Sequence, residues 1–264
     1  MSLRSPAIVV TLITAGALLS VAFLARGMWI RSKVVALSSI SPPVYRQANT
    51  ELPPKGRKMR VIFIGDSRIA RWPTTALDDR WEVVNRGIAG ETAAQLKQRF
   101  AADALALKPD SLVIEAGIND LVAASFLDDP SKSLIARKTT EILLQLVSSA
   151  VSSGIHTYLA TIIPPARPDF WRLAVWKESV RDLVTEVNTE LRRAKLPNCA
   201  TLIDVSSLLD GSEDRILPEQ YRLDTLHINE AAYERLTAPL RSALEATHPL
   251  PSPAQPSWAE NCHL

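Results

Sequence analysis

The chain reads as a three-layer α/β/α sandwich around a parallel sheet of about five strands, preceded by one N-terminal transmembrane helix. Three observations predict this. Short apolar runs of β type alternate with longer helical patterns along residues 59 to 247. Several of those runs are continuously apolar, as strands covered on both faces must be. Polar, glycine-bearing segments follow the runs, which is where open α/β sheets place their sites.

The elements follow in order. Ala7 to Ala25 carries no charge, and as a helix it would be roughly 28 Å long, close to the ~30 Å hydrocarbon core of a bilayer. Met28, Trp29 and Ile30 come next among Arg26, Arg31 and Lys33, in the manner of an interfacial belt. An uncleaved anchor over residues 1–33 is therefore expected. The competing reading is a signal peptide with Ser20-Val21-Ala22 as its small-x-small site, but the apolar run continues past it. An export signal puts the body outside the cytoplasm, which is the expectation adopted, although Arg4 against Arg26, Arg31 and Lys33 leans the other way. Residues 34–58, with Pro42-Pro43 and Pro53-Pro54, read as a linker, and residues 248–264 as a proline-rich tail.

Within the body, strands are expected at Arg60–Ile64, Trp81–Asn85, Ser111–Glu115, Thr157–Thr161 and Thr201–Val205. Helices are expected at Thr92–Leu107, Lys132–Ser153, Trp171–Ala194 and Glu230–Ala246. Gly154 should end the second of these as a left-handed cap. Such a βαβ pattern winds into a doubly wound domain, and in a 2-1-3-4-5 strand order the first three strands are neighbours.

Composition narrows the function classes. A formal net charge of +2 in 264 residues lacks the clustered basic character of a nucleic-acid binder. Cys199 and Cys262 lack zinc-site spacing and are too few for a disulfide framework, though an oxidising compartment would let them pair. Asp224 and His227 have no third residue at metal-ligand spacing, so neither a metal nor an organic cofactor is expected.

The chemistry lies at the strand ends. The first strand runs into Gly65-Asp66-Ser67, the second into Asn85-Arg86-Gly87-Ile88-Ala89-Gly90-Glu91-Thr92, and the third into Gly117-Ile118-Asn119-Asp120. After the last strand comes Asp224-Thr225-Leu226-His227. These four segments, in this order over residues 59–247, resemble the SGNH (GDSL-type) hydrolases. The resemblance implies a flavodoxin-like fold and an esterase that acts on small-molecule or glycan esters.

Elementary chemistry assigns the parts. A serine hydroxyl is a poor nucleophile at neutral pH and needs a base, which His227 can supply. Asp224, three residues earlier, is placed to hold the other ring nitrogen and stabilise the imidazolium. The catalytic set is therefore Ser67, Asp224 and His227. The resemblance further implies three oxyanion donors: the backbone N–H groups of Ser67 and Gly90 and the side-chain amide of Asn119. Asp66 and Asp120 read as turn or cap residues. Glu91, where the family commonly has aspartate, reads as a cap of the following helix. Arg68 departs from the small or apolar residue usual after the nucleophile, and is expected either beside the acyl pocket or in solvent. The same residues would also serve an O-acyltransferase acting on a sugar or alcohol, and the fold alone would serve a non-catalytic binding module.

Overall fold

The computed structural model describes residues 6–73, 75, 77–209 and 216–249. Helix α1 spans Pro6–Ala36 and α2 spans Arg46–Thr50. Strand β1, Met59–Gly65, runs into the four-residue helix α3, Ser67–Ala70. Then follow β2 (Trp81–Gly87), α4 (Ala93–Asp103), β3 (Ser111–Glu115), α5 (Ile118–Ala124) and α6 (Asp129–Ser152). Strand β4 (His156–Ala160), α7 (Ser179–Arg193), β5 (Ala200–Ile203), α8 (Val205–Leu209) and α9 (Glu230–Thr247) complete the order.

The sheet has strand order β2-β1-β3-β4-β5, and every pair is parallel. This is the expected order. Alternate side chains of β1 point to opposite faces, so two cores form. Ile62 and Ile64 pack with Leu96, Leu121, Leu143 and Val187 from the helices on one face. Val61 and Phe63 pack with Trp72, Leu236 and Leu240 on the other. A strand buried on both sides has no polar alternation to show, which explains the unbroken apolar run Val61–Ile64.

Helix ends follow local chemistry. Thr92 caps α4 and forms a reciprocal capping box with Gln95. Asp128 caps α6, with Pro130 in its first turn, and Gly154 at φ 75° terminates it as anticipated. The fourth inter-strand connection departs from expectation. Helix α7 begins only at Ser179, while Phe170–Arg172 form a separate 3-10 turn. Residues Val180, Leu183, Val184, Val187 and Leu191 supply the helix with its buried face. The preceding turn is instead held by Asp169, whose backbone N–H and carboxylate bond Thr225.

The N-terminal region divides in two. Every residue from Ile8 to Ala25 is exposed, whereas Arg26, Trp29, Ile30, Lys33 and Val34 are partly covered at helical spacing. Helix α1 is thus one apolar rod, long enough to cross a membrane, whose final turns lie on the body. Trp29 meets the ring of Phe126 edge-on at 5.8 Å. The segment after α1 is also held to the body. Ser41 Oγ donates to Glu91 at 2.8 Å, Tyr45 Oη to the Gly87 carbonyl at 2.5 Å, and Asn49 to Asp103 at 2.6 Å. Arg4, Cys262 and the tail beyond residue 249 lie outside the described residues.

Candidate active site

The site assembles at the carboxyl ends of β1, β2 and β3. Gly65 ends β1 where the chain passes so near β3 that a Cβ there would lie 1.8 Å from the Glu115 carbonyl oxygen. Only glycine permits that approach. Asp66 then caps the short helix α3, its carboxylate accepting the Arg68 amide at 2.9 Å. Ser67 is the first residue of α3 and is partly exposed.

Across from it lies the loop that carries Asp224 and His227. Asp224 Oδ1 accepts the amides of Leu226 at 2.8 Å and His227 at 3.0 Å. The His227 carbonyl accepts the Leu223 amide at 2.9 Å, and Arg222 bridges Ile228 in antiparallel fashion. The loop is thereby closed on itself, and its side chains have defined positions. Asp224 Oδ2 lies 2.7 Å from His227 Nδ1, and His227 Nε2 lies 2.9 Å from Ser67 Oγ.

The electrostatics match the geometry. Burial pulls the His227 imidazole below its usual range and outweighs the bond to Asp224, which acts the other way. Burial also works to raise Asp224, but the His227 bond and the backbone amides prevail and hold it below the usual carboxylate value. The pair is therefore a neutral imidazole beside a carboxylate at neutral pH. A hydroxyl, a neutral imidazole and a carboxylate in this sequence can pass a proton from oxygen to nitrogen.

The second wall comes from β2 and β3. Gly90 has φ +81°, a left-handed conformation that L side chains rarely adopt. The Asn119 side-chain amide donates to the Glu91 carbonyl at 3.0 Å, tying the start of α5 to the loop after β2. Asp120 accepts the Ala93 amide at 2.8 Å and so satisfies a donor in the first turn of α4. Burial pushes Asp120 up to about 7.

Two expectations are corrected here. Glu91 does not cap α4; Thr92 does. Glu91 instead forms a bidentate ion pair with Arg99 at 2.7 and 2.5 Å, because the first turns of α4 bring Arg99 back over the loop. Arg68 lies neither beside a pocket nor in solvent: it is 1 % exposed. Its Nε donates to the Leu226 carbonyl at 3.0 Å, and Nη1 lies 3.3 Å from Glu115. Tyr233 in turn donates to the Arg68 carbonyl at 2.7 Å. Burial raises Asp66 and Glu115, the two carboxyls near this guanidinium. Arg68 thus braces the residue adjacent to His227 from below.

Glu115, Tyr233 and Asp169 were not singled out from sequence. Each acts on a residue 47 or more positions away, and no local spacing announces such a pairing.

Comparisons with known proteins bear on the family and the fold. Residues 63–235 match the GDSL-like Lipase/Acylhydrolase family. A GDSL-like lipase from Bacteroides thetaiotaomicron has the same fold, with a TM-score of 0.61 at 23% identity, over 77% of this chain and 96% of that one. An acetyl xylan esterase has a TM-score of 0.51 at 19% identity, over 70% of this chain and all 100% of its own. An uncharacterized lipoprotein of Bacillus subtilis, YqeF, is 31% identical over 90 residues, which are 34% of this chain and 36% of that protein. The matched stretch therefore spans about a third of that relative's length. With a parallel sheet in 2-1-3-4-5 order and a family match over most of its length, the chain belongs to the GDSL-like lipase/acylhydrolase family.

Proposed function

We propose that the protein is a serine esterase that hydrolyses carboxylic esters, acyl or acetyl, through an acyl-enzyme on Ser67. The observation that carries this reading is the unbroken line from Ser67 Oγ through His227 to Asp224, at 2.9 and 2.7 Å. Ser67 Oγ attacks the ester carbonyl carbon while His227 Nε2 takes its proton. The carbonyl oxygen becomes an oxyanion and is met by the N–H groups of Ser67 and Gly90 and the amide of Asn119. One such donor typically contributes about 2.7–4 kcal/mol to transition-state stabilisation. The intermediate collapses, and the alcohol leaves with the proton held on His227. Water then attacks the acyl-enzyme, His227 takes its proton, and the acid departs as Ser67 recovers its hydrogen.

The catalytic unit is residues 59–247, and α1 anchors it in a membrane with the body outside the cytoplasm. The apolar stretch Ile8–Ala25, exposed at every residue, supports the anchor. The names of the neighbours support a small-molecule or glycan ester as substrate.

The test is turnover of a chromogenic short-chain ester by the full chain in detergent, beside Ser67→Ala. The variant should lose at least about a thousandfold in kcat and should not react with a fluorophosphonate. Hydrolysis that survives in Ser67→Ala would sink the mechanism. Acyl transfer to an added sugar that outpaces hydrolysis would assign a transferase instead.

A further inference from the structure

The loop between β4 and α7 presents an apolar surface to solvent. Phe170 is 85 % exposed, Trp171 73 % and Leu173 57 %, within four consecutive residues. Isolated exposed apolar side chains are ordinary, but a tight group of large ones marks a contact surface.

Its position in the fold indicates what it meets. Arg26, the first charged residue after the exposed apolar stretch of α1, donates its Nε to the Ala174 carbonyl at 2.7 Å. That bond places Ala174, next to the Phe170–Leu173 turn, beside the first charged residue of α1. Arg172, inside the turn, and Lys33 of α1 are near enough for their charges to interact. Apolar rings beside basic side chains, next to the charged turns that follow an apolar helix, suit a bilayer interface with anionic headgroups.

The same turn is fastened to the acid–base loop. The Asp169 carboxylate accepts the amide and hydroxyl of Thr225, and Arg222 pairs with it as well. Trp29 of α1 packs on Phe126, two residues beyond the helix that carries Asn119. Both the His227 side and the Asn119 side of the cleft are therefore secured to the turns of α1 that emerge from the apolar stretch.

We propose that the carboxyl-end face of the sheet is held against the bilayer that α1 enters, with Phe170, Trp171 and Leu173 immersed at the lipid–water interface. The site then works on esters presented at that membrane surface. This rests on the reading of α1 as an anchor, and its substrate clause rests on the esterase reading.

The experiment uses the full chain in vesicles of phosphatidylcholine and phosphatidylglycerol. Trp171 is isolated as the difference between the wild type and Trp171→Phe. Lipids brominated near the headgroup end of the acyl chain should quench that difference signal at least about twofold, whereas aqueous acrylamide should quench it weakly. The triple variant F170S/W171S/L173S should lower the ratio of turnover on a vesicle-borne long-chain ester to that on a soluble short ester by about tenfold. A difference signal quenched by acrylamide and untouched by brominated lipid overturns the proposal, as does Trp171-dependent self-association of the chain. If the chain fails to float with vesicles after alkaline wash, the anchor reading falls and this one with it. If no ester is turned over but Trp171 is quenched by lipid, the esterase reading falls and the docking surface stands.

Discussion

At the scale of single residues, the protonation state of His227 is the quantity most open to test. A base must be neutral to accept the Ser67 proton, and burial lowers the imidazole below its ordinary value of 6.5. The neutral form therefore persists to lower pH than for a free histidine. The acid limb of kcat/KM for a short soluble ester should have its midpoint below 6.5, measured from pH 4 to 8. A midpoint above that value would mean that the Asp224 interaction, which favours the imidazolium, dominates over burial. Arg68 illustrates a different residue-scale lesson. Its place after Ser67 suggests substrate contact, yet the guanidinium turns inward because Glu115 on the neighbouring strand and the Leu226 carbonyl supply partners there. An arginine so buried needs such partners, since unpaired charge in a protein interior is expensive.

At the scale of elements, α4 and α5 are coupled through Asp120, which accepts the Ala93 amide at the start of α4. Burial raises this carboxyl to about 7 from an ordinary 3.8. The folded chain thus holds the proton more tightly than the unfolded chain. Its stabilising contribution is complete below about pH 4 and is lost as pH rises through about 7. Asp120→Asn keeps an oxygen for the Ala93 amide and removes the titration. The wild type should lose stability relative to this variant between about pH 4 and pH 7, by a few kcal/mol at most, read as a falling Tm. Parallel Tm curves for the two proteins across that range would refute the assignment. The Asn119 bond to Glu91 and the Glu91–Arg99 ion pair join the same two elements, so the Gly90 loop is held from both sides.

For the whole molecule, α1 acts as part of the body as well as an apolar rod. Its covered face of Arg26, Trp29, Ile30, Lys33 and Val34 lies against the body near Phe126. Removing residues 1–36 exposes that patch and frees the segment through Tyr45. The truncated chain should therefore unfold at lower urea concentration than the full chain in detergent, by about 2–3 kcal/mol for the loss of one large apolar contact. An unchanged midpoint would mean that α1 contributes nothing to folding of the body. The segment after α1 shows the same economy of contact. Its polar side chains Ser41, Tyr45 and Asn49 each find a partner on the body, so residues read as a linker from their prolines are ordered there.

Much of this is legible in the sequence. The β-type runs located all five strands to within two residues, most clearly β1, whose Val61–Ile64 are apolar throughout because both faces are covered. Gly65, Ser67, Gly90 and Asn119 stood out because strand ends are where a parallel sheet gathers its polar groups, and Asp224 and His227 by their three-residue spacing shortly before the last helix. The late start of α7 was not legible, since the turn before it is held by Asp169 and Thr225, which are 56 positions apart. The same holds for Arg68 with Glu115, Glu91 with Arg99, and the seating of α1 at Ala174. The sequence by itself determined the layers, the polar strand-end segments and the apolar stretch of α1, all of which follow from patterning within a few residues of chain. Tertiary structure alone decided which buried charge meets which, and against what the rod and the Phe170–Leu173 turn are set. Those choices depend on strand order and side-chain direction across the sheet, where the partners share no local sequence context.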